Sequence, residues 1–143
     1  PIPYGQLDAH AFLDGAAARR ARGDSLELAV RDRDGGLLGA IGFIVDRFDP
    51  EQAEVGYWVA PAARGRGVAT RALRLLSGWA LREAGLVRRS LTASLENPAS
   101  LRVAERAGFR REGVMRAAWP RGPHGREDLA LYGLRAADIG PHP

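Results

Sequence analysis

Glu54-Val55-Gly56-Tyr57-Trp58-Val59-Ala60-Pro61, running on into Ala62-Ala63-Arg64-Gly65-Arg66-Gly67-Val68-Ala69-Thr70, is the stretch on which the rest of the reading turns. Apolar residues alternate from Ala53 to Ala60, which predicts a strand, and Pro61 stops it. A turn with two glycines follows. Ala69, Ala72, Leu73, Leu76 and Ala80 then fall at helical spacing, which predicts a helix over 68–83. A strand therefore delivers the chain into a glycine turn that opens a helix. The first N–H groups of a helix are unpaired and converge on one point, where the helix dipole favours an anion. Glycine lets the backbone approach a phosphate closely, and Arg64 and Arg66 add charge. The stretch reads as a pyrophosphate cradle; the competing reading is a plain strand-to-helix turn. Other phosphate loops fit worse. A Walker A loop needs a lysine, and the chain has none. A dinucleotide fingerprint needs a third glycine where Thr70 stands and belongs near the start of a parallel βαβ unit, whereas here three strands come first.

Working outward, Ala9, Phe12, Leu13 and Ala16 predict a helix over 6–22 with one apolar face. Leu26, Leu28 and Val30 alternate with polar or small residues, as in a half-buried strand. Asp34-Gly35-Gly36 marks a hairpin turn into a second strand over 37–46. Downstream, Gly85 sits where a helix C-cap glycine belongs, and 87–95 reads as a fourth strand. Asn97-Pro98 is an N-cap followed by a first-turn proline, opening a short helix that ends at Gly108. Two more strands follow, over 109–119 and 127–134, joined by the loop 120–126. Helix, three-strand meander, helix, strand, short helix and two strands predict an α/β (α+β) layer architecture in one domain over 1–143, with a frayed tail over 138–143. The opening Pro1-Ile2-Pro3, with no Met, points to an N-terminal truncation.

Composition narrows the function classes. With 143 residues and no cysteine, disulfides, thiolate metal sites and a cysteine nucleophile are excluded. The three histidines are scattered and offer no metal or triad geometry, so no metal site is expected. No apolar run approaches the ~20 residues of a membrane span and no signal-peptide pattern opens the chain, so a cytoplasmic setting with no membrane partner is expected. All 21 basic residues are arginine and the formal net charge is +4. That balance admits nucleic acid, an anionic surface or a phosphorylated cofactor.

Two motifs at the right separation carry a family likeness. Arg64-x-x-Gly67-x-Ala69 matches the Arg/Gln-x-x-Gly-x-Gly/Ala signature of the GNAT N-acetyltransferase superfamily. The segment from Glu96-Asn97-Pro98-Ala99-Ser100 to Gly108-Phe109-Arg110-Arg111-Glu112-Gly113 resembles the superfamily's second motif in its RimJ/RimL-like form, the branch that includes ribosomal-protein N-terminal acetyltransferases. Glu54-x-Gly56-Tyr57-Trp58 is also typical of that branch, and the resemblance covers about residues 6–135.

The resemblance implies a mixed, mostly antiparallel sheet of about six strands flanked by helices, with a splayed central parallel pair formed by 53–60 and 87–95. It implies acetyl-CoA bound in the opening between that pair, as co-substrate and without a metal. Trp58 and Val59 would lie along the pantetheine arm. The N–H groups of Arg66, Gly67, Val68, Ala69 and Thr70 would hold the pyrophosphate, with Arg64 and Gly65 also cofactor-binding. Asn97 would bond the pantetheine arm, cap the short helix, or do both; Arg102 and Arg106 are read as solvated helix arginines or as contacts to the adenosine phosphate. The chemistry implied is direct transfer of an acetyl group from sulfur to a primary amine. An α-amine ionises at roughly 7.7–8.0 and a lysine amine at roughly 10.4, so an N-terminal acceptor needs the weaker base. Glu54 is the candidate base, with a salt-bridged strand residue as the alternative. The superfamily's usual thiolate proton donor is a tyrosine where this chain has Ala104; Ser100 is the candidate in its place, or else a helix-capping or pantetheine-contacting (cofactor-binding) hydroxyl. Tyr132 and Asp128 are weaker candidates for the substrate side. Trp119 and the 120–126 loop belong either to the acceptor wall or, for the tryptophan, to the core. The superfamily also opens with a strand before the first helix. This chain shows none, which would leave a sheet edge open.

Three functions follow as expectations. The first is an acetyl-CoA-dependent N-acetyltransferase acting on a protein N-terminus or a small-molecule amine, with a homodimer as the default assembly. The second is a non-catalytic acyl-CoA-binding module. The third, resting on arginine content alone, is a nucleic-acid binder, for which no helix-turn-helix, zinc finger or aromatic RNA-binding stripe is present.

Overall fold

The computed structural model describes residues 6–140; the Pro1-Ile2-Pro3 opening and the last three residues of the expected tail lie outside the described residues. Three α-helices and six strands alternate as expected: α1 (Gln6–Arg22), β1 (Ser25–Arg31), β2 (Leu37–Val45), β3 (Gln52–Val59), α2 (Val68–Arg82), β4 (Arg88–Ser94), α3 (Pro98–Arg106), β5 (Arg110–Pro120) and β6 (Arg126–Arg135). The strands form one sheet in the order β1-β2-β3-β4-β6-β5.

The feature that positions the site is the junction of β3 and β4. Every other neighbour in the sheet is antiparallel, and this pair alone is parallel. It runs for three residue pairs, Gln52 with Arg88, Ala53 with Arg89 and Glu54 with Ser90. Beyond Glu54, β3 stays with β2 as far as Gly39–Val59, while β4 stays with β6 as far as Ser94–Leu129. Each strand follows its antiparallel partner, and the sheet opens between them.

Side-chain alternation then divides the sheet into two faces. Ala53 and Val55 of β3 and Leu91 and Ala93 of β4 are buried in one core with Leu73, Leu76 and Ala80 of α2 and Ala104 of α3. Glu54, Gly56 and Trp58 lie exposed on the opposite face. Helix α2 packs through an apolar stripe of Val68, Leu73, Leu76, Ala80 and Leu81, with the polar Ser77 buried among them. In α3, Pro98 takes the first turn and Ala104 faces the core.

Three expectations need correction here, and the core alternative for Trp119 falls. The apolar face expected on α1 does not enter the core: Phe12 and Leu13 are exposed, 63% in the case of Leu13. The Arg19 guanidinium lies over the Phe12 ring at 4.9 Å and also reaches Glu27 of β1, so α1 is tethered by a polar link. The alternation expected in β1 is blunted, with Leu28 exposed, because β1 is an edge with no outer partner among the described residues. The first residues of the tail expected to fray are held: the Asp138 carboxylate accepts from Arg135, pairs with Arg110 and is held below the usual carboxylate range chiefly by the Arg135 side-chain bond, and Ile139 packs on the core. Trp119 belongs to the surface and not to the core, at 59% exposure on the edge strand β5.

One core residue contradicts its type. Arg89 is fully buried, stacks over Phe43 at 4.5 Å, and has no hydrogen-bond partner for its guanidinium among the described residues. Burial pulls its pKa down to about 10.

Candidate functional site

The opening between β3 and β4 exposes backbone as well as side chains. Ala60 N–H donates to Leu38 O. By the alternation of an antiparallel ladder, Val59 and Tyr57 therefore turn their N–H and C=O groups away from β2 and into the cleft. No strand meets them there. Arg64 satisfies one, its Nε donating to the Val59 carbonyl at 3.1 Å, which closes the turn back on the end of the strand.

After a 3-10 turn at Pro61–Ala63, Gly65 and Gly67 take φ of +72° and +73°. A side chain is strained in that left-handed region, and the glycines let the loop curl with its amides inward. Gly67 is the N-cap of α2 and supplies no side-chain cap, so the first-turn donors of the helix keep their hydrogen-bonding capacity for something outside the helix. The loop and this first turn wall one side of a cavity of about 530 Å³; Asn97, Ser100, Arg102 and Arg106 of the α3 region wall the other, with Tyr57 to Val59 of β3 between.

Asn97 does what its position predicts: its Oδ1 accepts from the Ser100 N–H at 3.1 Å and caps α3. The amide also lines the cavity, so both expected roles are geometrically compatible. Ser100 lies in the first turn of α3, and its Oγ is 2.8 Å from the Tyr57 hydroxyl. Burial pushes the Tyr57 phenol above its usual pKa, while the bond to Ser100 works in the other direction. Glu54 stands three residues before Tyr57 and points to the other face of the sheet. There its Oε1 accepts from Thr92 Oγ1 of β4 at 2.8 Å. Two polar pairs thus straddle the same cleft, Tyr57–Ser100 on the helix face and Glu54–Thr92 on the open face.

The structure gathers most of the residues expected at the site. Trp58, Val59, Arg64, Gly65, Gly67, Val68, Ala69, Thr70, Asn97 and Ser100 all line the cavity. Arg66 is exposed in the loop and outside the lining, while Arg102 and Arg106 lie inside it. Tyr132 does not face a substrate: it is fully buried on the helix face, donates to Glu105 Oε1 at 3.1 Å, and burial raises its pKa. Asp128 is occupied in accepting from Ala117 N–H, where β5 bulges and Ala117 takes a φ of +50°. Ala104 is fully buried and lines nothing, so no hydroxyl enters from that position. Sequence reading missed Tyr57 and Thr92 as site residues. The period-two pattern already placed Tyr57 on the face opposite Glu54, but the partners of both lie 43 and 38 residues away, and no local pattern reports that. No group of three or more His, Asp or Glu among the described residues is arranged to hold a metal.

The splayed parallel pair with an uncapped helix N-terminus beside it agrees with the family likeness that the motifs carry. Residues 1–110 match the acetyltransferase (GNAT) domain family, and the chain belongs to it. It is 38% identical over 103 residues to YdaF of Bacillus subtilis, covering 71% of this chain and 55% of that protein. It is 34% identical over 84 residues to the ribosomal-protein-serine acetyltransferase of Escherichia coli, covering 57% and 46%. The chain therefore spans about half the length of these curated relatives. Among solved structures, Mycobacterium smegmatis RimJ in complex with CoA-disulfide superposes with a TM-score of 0.85 at 26% identity, covering 94% of this chain and 64% of that one.

Proposed function

We propose that this chain transfers an acetyl group from acetyl-CoA to a primary amine. The observation that carries the reading is the uncapped N-terminus of α2, with left-handed Gly65 and Gly67, opening onto a cavity beside the splayed β3–β4 pair. Donors converging where a helix dipole is positive suit a pyrophosphate, and the backbone groups of Tyr57 and the Val59 N–H, turned into the cleft with no strand partner, suit the amides of a pantetheine arm. The residues present fit the cofactor. The first turn of α2 would hold the pyrophosphate, Asn97 and the β3 backbone the arm, and Arg102 or Arg106 the adenosine phosphate. Acetyl-CoA supplies an activated acyl group on a thiol that leaves readily.

The chain's own residues provide the rest. Glu54 lies on the face away from the helices, so an amine approaching from that face meets a carboxylate at the cleft. Glu54, oriented by Thr92, takes a proton from the amine directly or through one water. The main-chain N–H groups turned into the cleft polarise the acyl oxygen. Because Glu54 is exposed, a weakly basic acceptor suits it, and an N-terminal α-amine is the proposed class. The name of the Escherichia coli relative, a ribosomal-protein-serine acetyltransferase, supports that choice.

The test is a titration with CoA, followed by thiol release from labelled acetyl-CoA with peptides carrying free or blocked N-termini. The chain has no cysteine, so every thiol released is CoA. Saturable binding with turnover on free N-termini is expected. Binding without turnover on any amine would leave an acyl-CoA-binding module, and no binding would refute the site.

A further inference from the structure

We propose that Tyr57 is a positioning residue that holds the Ser100 hydroxyl so that its proton points at the departing sulfur. The inference rests on the acetyl-transfer reading above and assigns a residue that reading leaves idle. It starts from a vacancy in the chemistry: position 104 carries a buried alanine, and Tyr132 is turned into the core against Glu105. The hydroxyls that do line the cavity beside the cleft are Tyr57, Ser100 and Thr70. Thr70 lies on the first turn of α2, among the donors assigned to the pyrophosphate, so the Tyr57–Ser100 pair is what serves the reacting end.

Tyr57 Oη and Ser100 Oγ are 2.8 Å apart. At this separation either oxygen could donate, and relative acidity sets the direction in the proposal. A phenol is the stronger acid of the two, so the tyrosine donates and the serine oxygen accepts. The Ser100 backbone N–H is spent on Asn97. The serine proton is then the one left to point into the cavity. A hydroxyl whose oxygen already accepts a hydrogen bond is a better donor, because chains of hydrogen bonds polarise one another. Tyr57 itself stays protonated at neutral pH, since burial raises its pKa. It sits three residues past the last β3–β4 pair, bridging strand to helix where the sheet has opened.

In the transfer, the amine lone pair forms the C–N bond and the C–S bond breaks with its electron pair going to sulfur. The amine proton goes to Glu54 and on to water. Ser100 donates a hydrogen bond to the sulfur as charge gathers there, and Tyr57 donates one to Ser100. The thiolate takes its proton from water on release, so atoms and charge balance without ionising either hydroxyl.

The experiment reads the thiol of bound CoA. Since the chain has no cysteine, iodoacetamide alkylation of the complex titrates that thiol alone. A hydrogen bond to the charged form lowers a pKa. The alkylation midpoint of CoA on the wild-type chain is expected about one pH unit below that of free CoA. Tyr57→Phe should return at least half of that shift with CoA affinity unchanged. Ser100→Ala should return all of it, and the double variant should equal Ser100→Ala, because Tyr57 acts through the serine. The kcat of Tyr57→Phe should fall about tenfold at constant KM for acetyl-CoA. A wild-type midpoint retained in Tyr57→Phe or in Ser100→Ala, with CoA bound, overturns the inference and leaves the transferase reading standing. Failure of the wild type to bind CoA overturns both.

Discussion

Two hollows share the helix-bearing face of this sheet, and α2 is the wall between them. The larger, about 890 Å³, lies between α2 and the β1–β2 edge and is lined mainly by apolar side chains such as Leu26, Leu28, Phe43, Leu75 and Trp79. The smaller, about 530 Å³, lies at the N-terminal end of the same helix and is lined by loop glycines, Asn97, Ser100, Tyr57 and two α3 arginines. Val68 touches both. Size would point to the first hollow and chemistry points to the second. The larger hollow has Arg20, Arg31 and Arg71 in its lining but, among the described residues, no glycine turn opening a helix; most of its wall is apolar sheet and a flank of helix. In the smaller one, backbone groups without partners, a helix dipole and three hydroxyls meet. A site is located by convergence of unsatisfied polar groups, not by volume.

The strongest way to break that contrast is to put a carboxylate in each hollow. At Gly67 a side chain would start in a left-handed conformation with its Cβ 3.4 Å from Arg71 Nη1. Gly67→Glu would then cap α2 with its own anion, where a pyrophosphate is proposed to sit. CoA affinity is expected to fall by more than about 100-fold, worth ~2.7 kcal/mol. Gly67→Ala carries the same backbone strain without the charge and should retain most of the binding. Leu75→Glu, in the larger hollow, should leave CoA affinity within about twofold. Calorimetric titration of the three variants decides, and equal losses at Gly67 and Leu75 would dissolve the distinction.

The two faces of α2 sharpen it next. Leu73 has no exposed surface and Leu75 is 75% exposed. Leu73→Ala should cost about 2–5 kcal/mol of unfolding free energy, the usual range for a buried leucine. Leu75→Ala should stay within about 0.5 kcal/mol, since it empties nothing. Urea melts give both numbers. A large loss at Leu75 would mean that the hollow is filled in solution.

A smaller effect separates the two faces of the cleft. Glu54→Gln keeps a side-chain oxygen for Thr92 and removes only the base. The kcat is expected to fall by about 10- to 100-fold at an unchanged KM for acetyl-CoA. Full activity would remove Glu54 from the mechanism.

What could be read from the sequence follows the same division. Strand and helix bounds were legible almost to the residue wherever the burial period was clean, as in α2 and β3. The glycine turn into α2, the proposed cradle, was legible because its features are local: two glycines, a helix start and a missing side-chain cap lie within a few residues of one another. The α1 face was misread because periodicity states which side is apolar, and whether anything covers it is a tertiary fact. Tyr57–Ser100 and Glu54–Thr92 were invisible for a related reason, since each joins residues about forty positions apart across a cleft. Arg89 shows the opposite case, a burial that nothing in the sequence pattern led one to expect. A charge in a strand reads as an outward position, yet here its planar head stacks on Phe43 inside the core.

The β4–β5 flank offers the mildest test, and its sign follows from linkage. Arg88 meets Glu112 with two short bonds, at 2.8 Å from Nη1 and 2.5 Å from Nη2. The bond from Arg88 holds the Glu112 carboxyl below its usual pKa of 4.5. A carboxyl with a lower pKa folded than unfolded binds more protons in the unfolded chain at intermediate pH. Its stabilisation is therefore complete above the unfolded value and is lost as pH falls through that value toward the folded one. The bridge is partly open to solvent, at 26% and 37% side-chain exposure, so screening keeps its worth under about 1 kcal/mol. Glu112→Gln should lower Tm by a few degrees or less at pH 7. It should also flatten the loss of Tm between neutral pH and pH ~3, leaving the part due to Asp138, whose pKa is also lowered by its arginine partners. Scanning calorimetry of both chains at the two pH values gives the comparison. An acid slope as steep in Glu112→Gln as in the parent would show that the bridge is closed in the fold but contributes nothing to its stability.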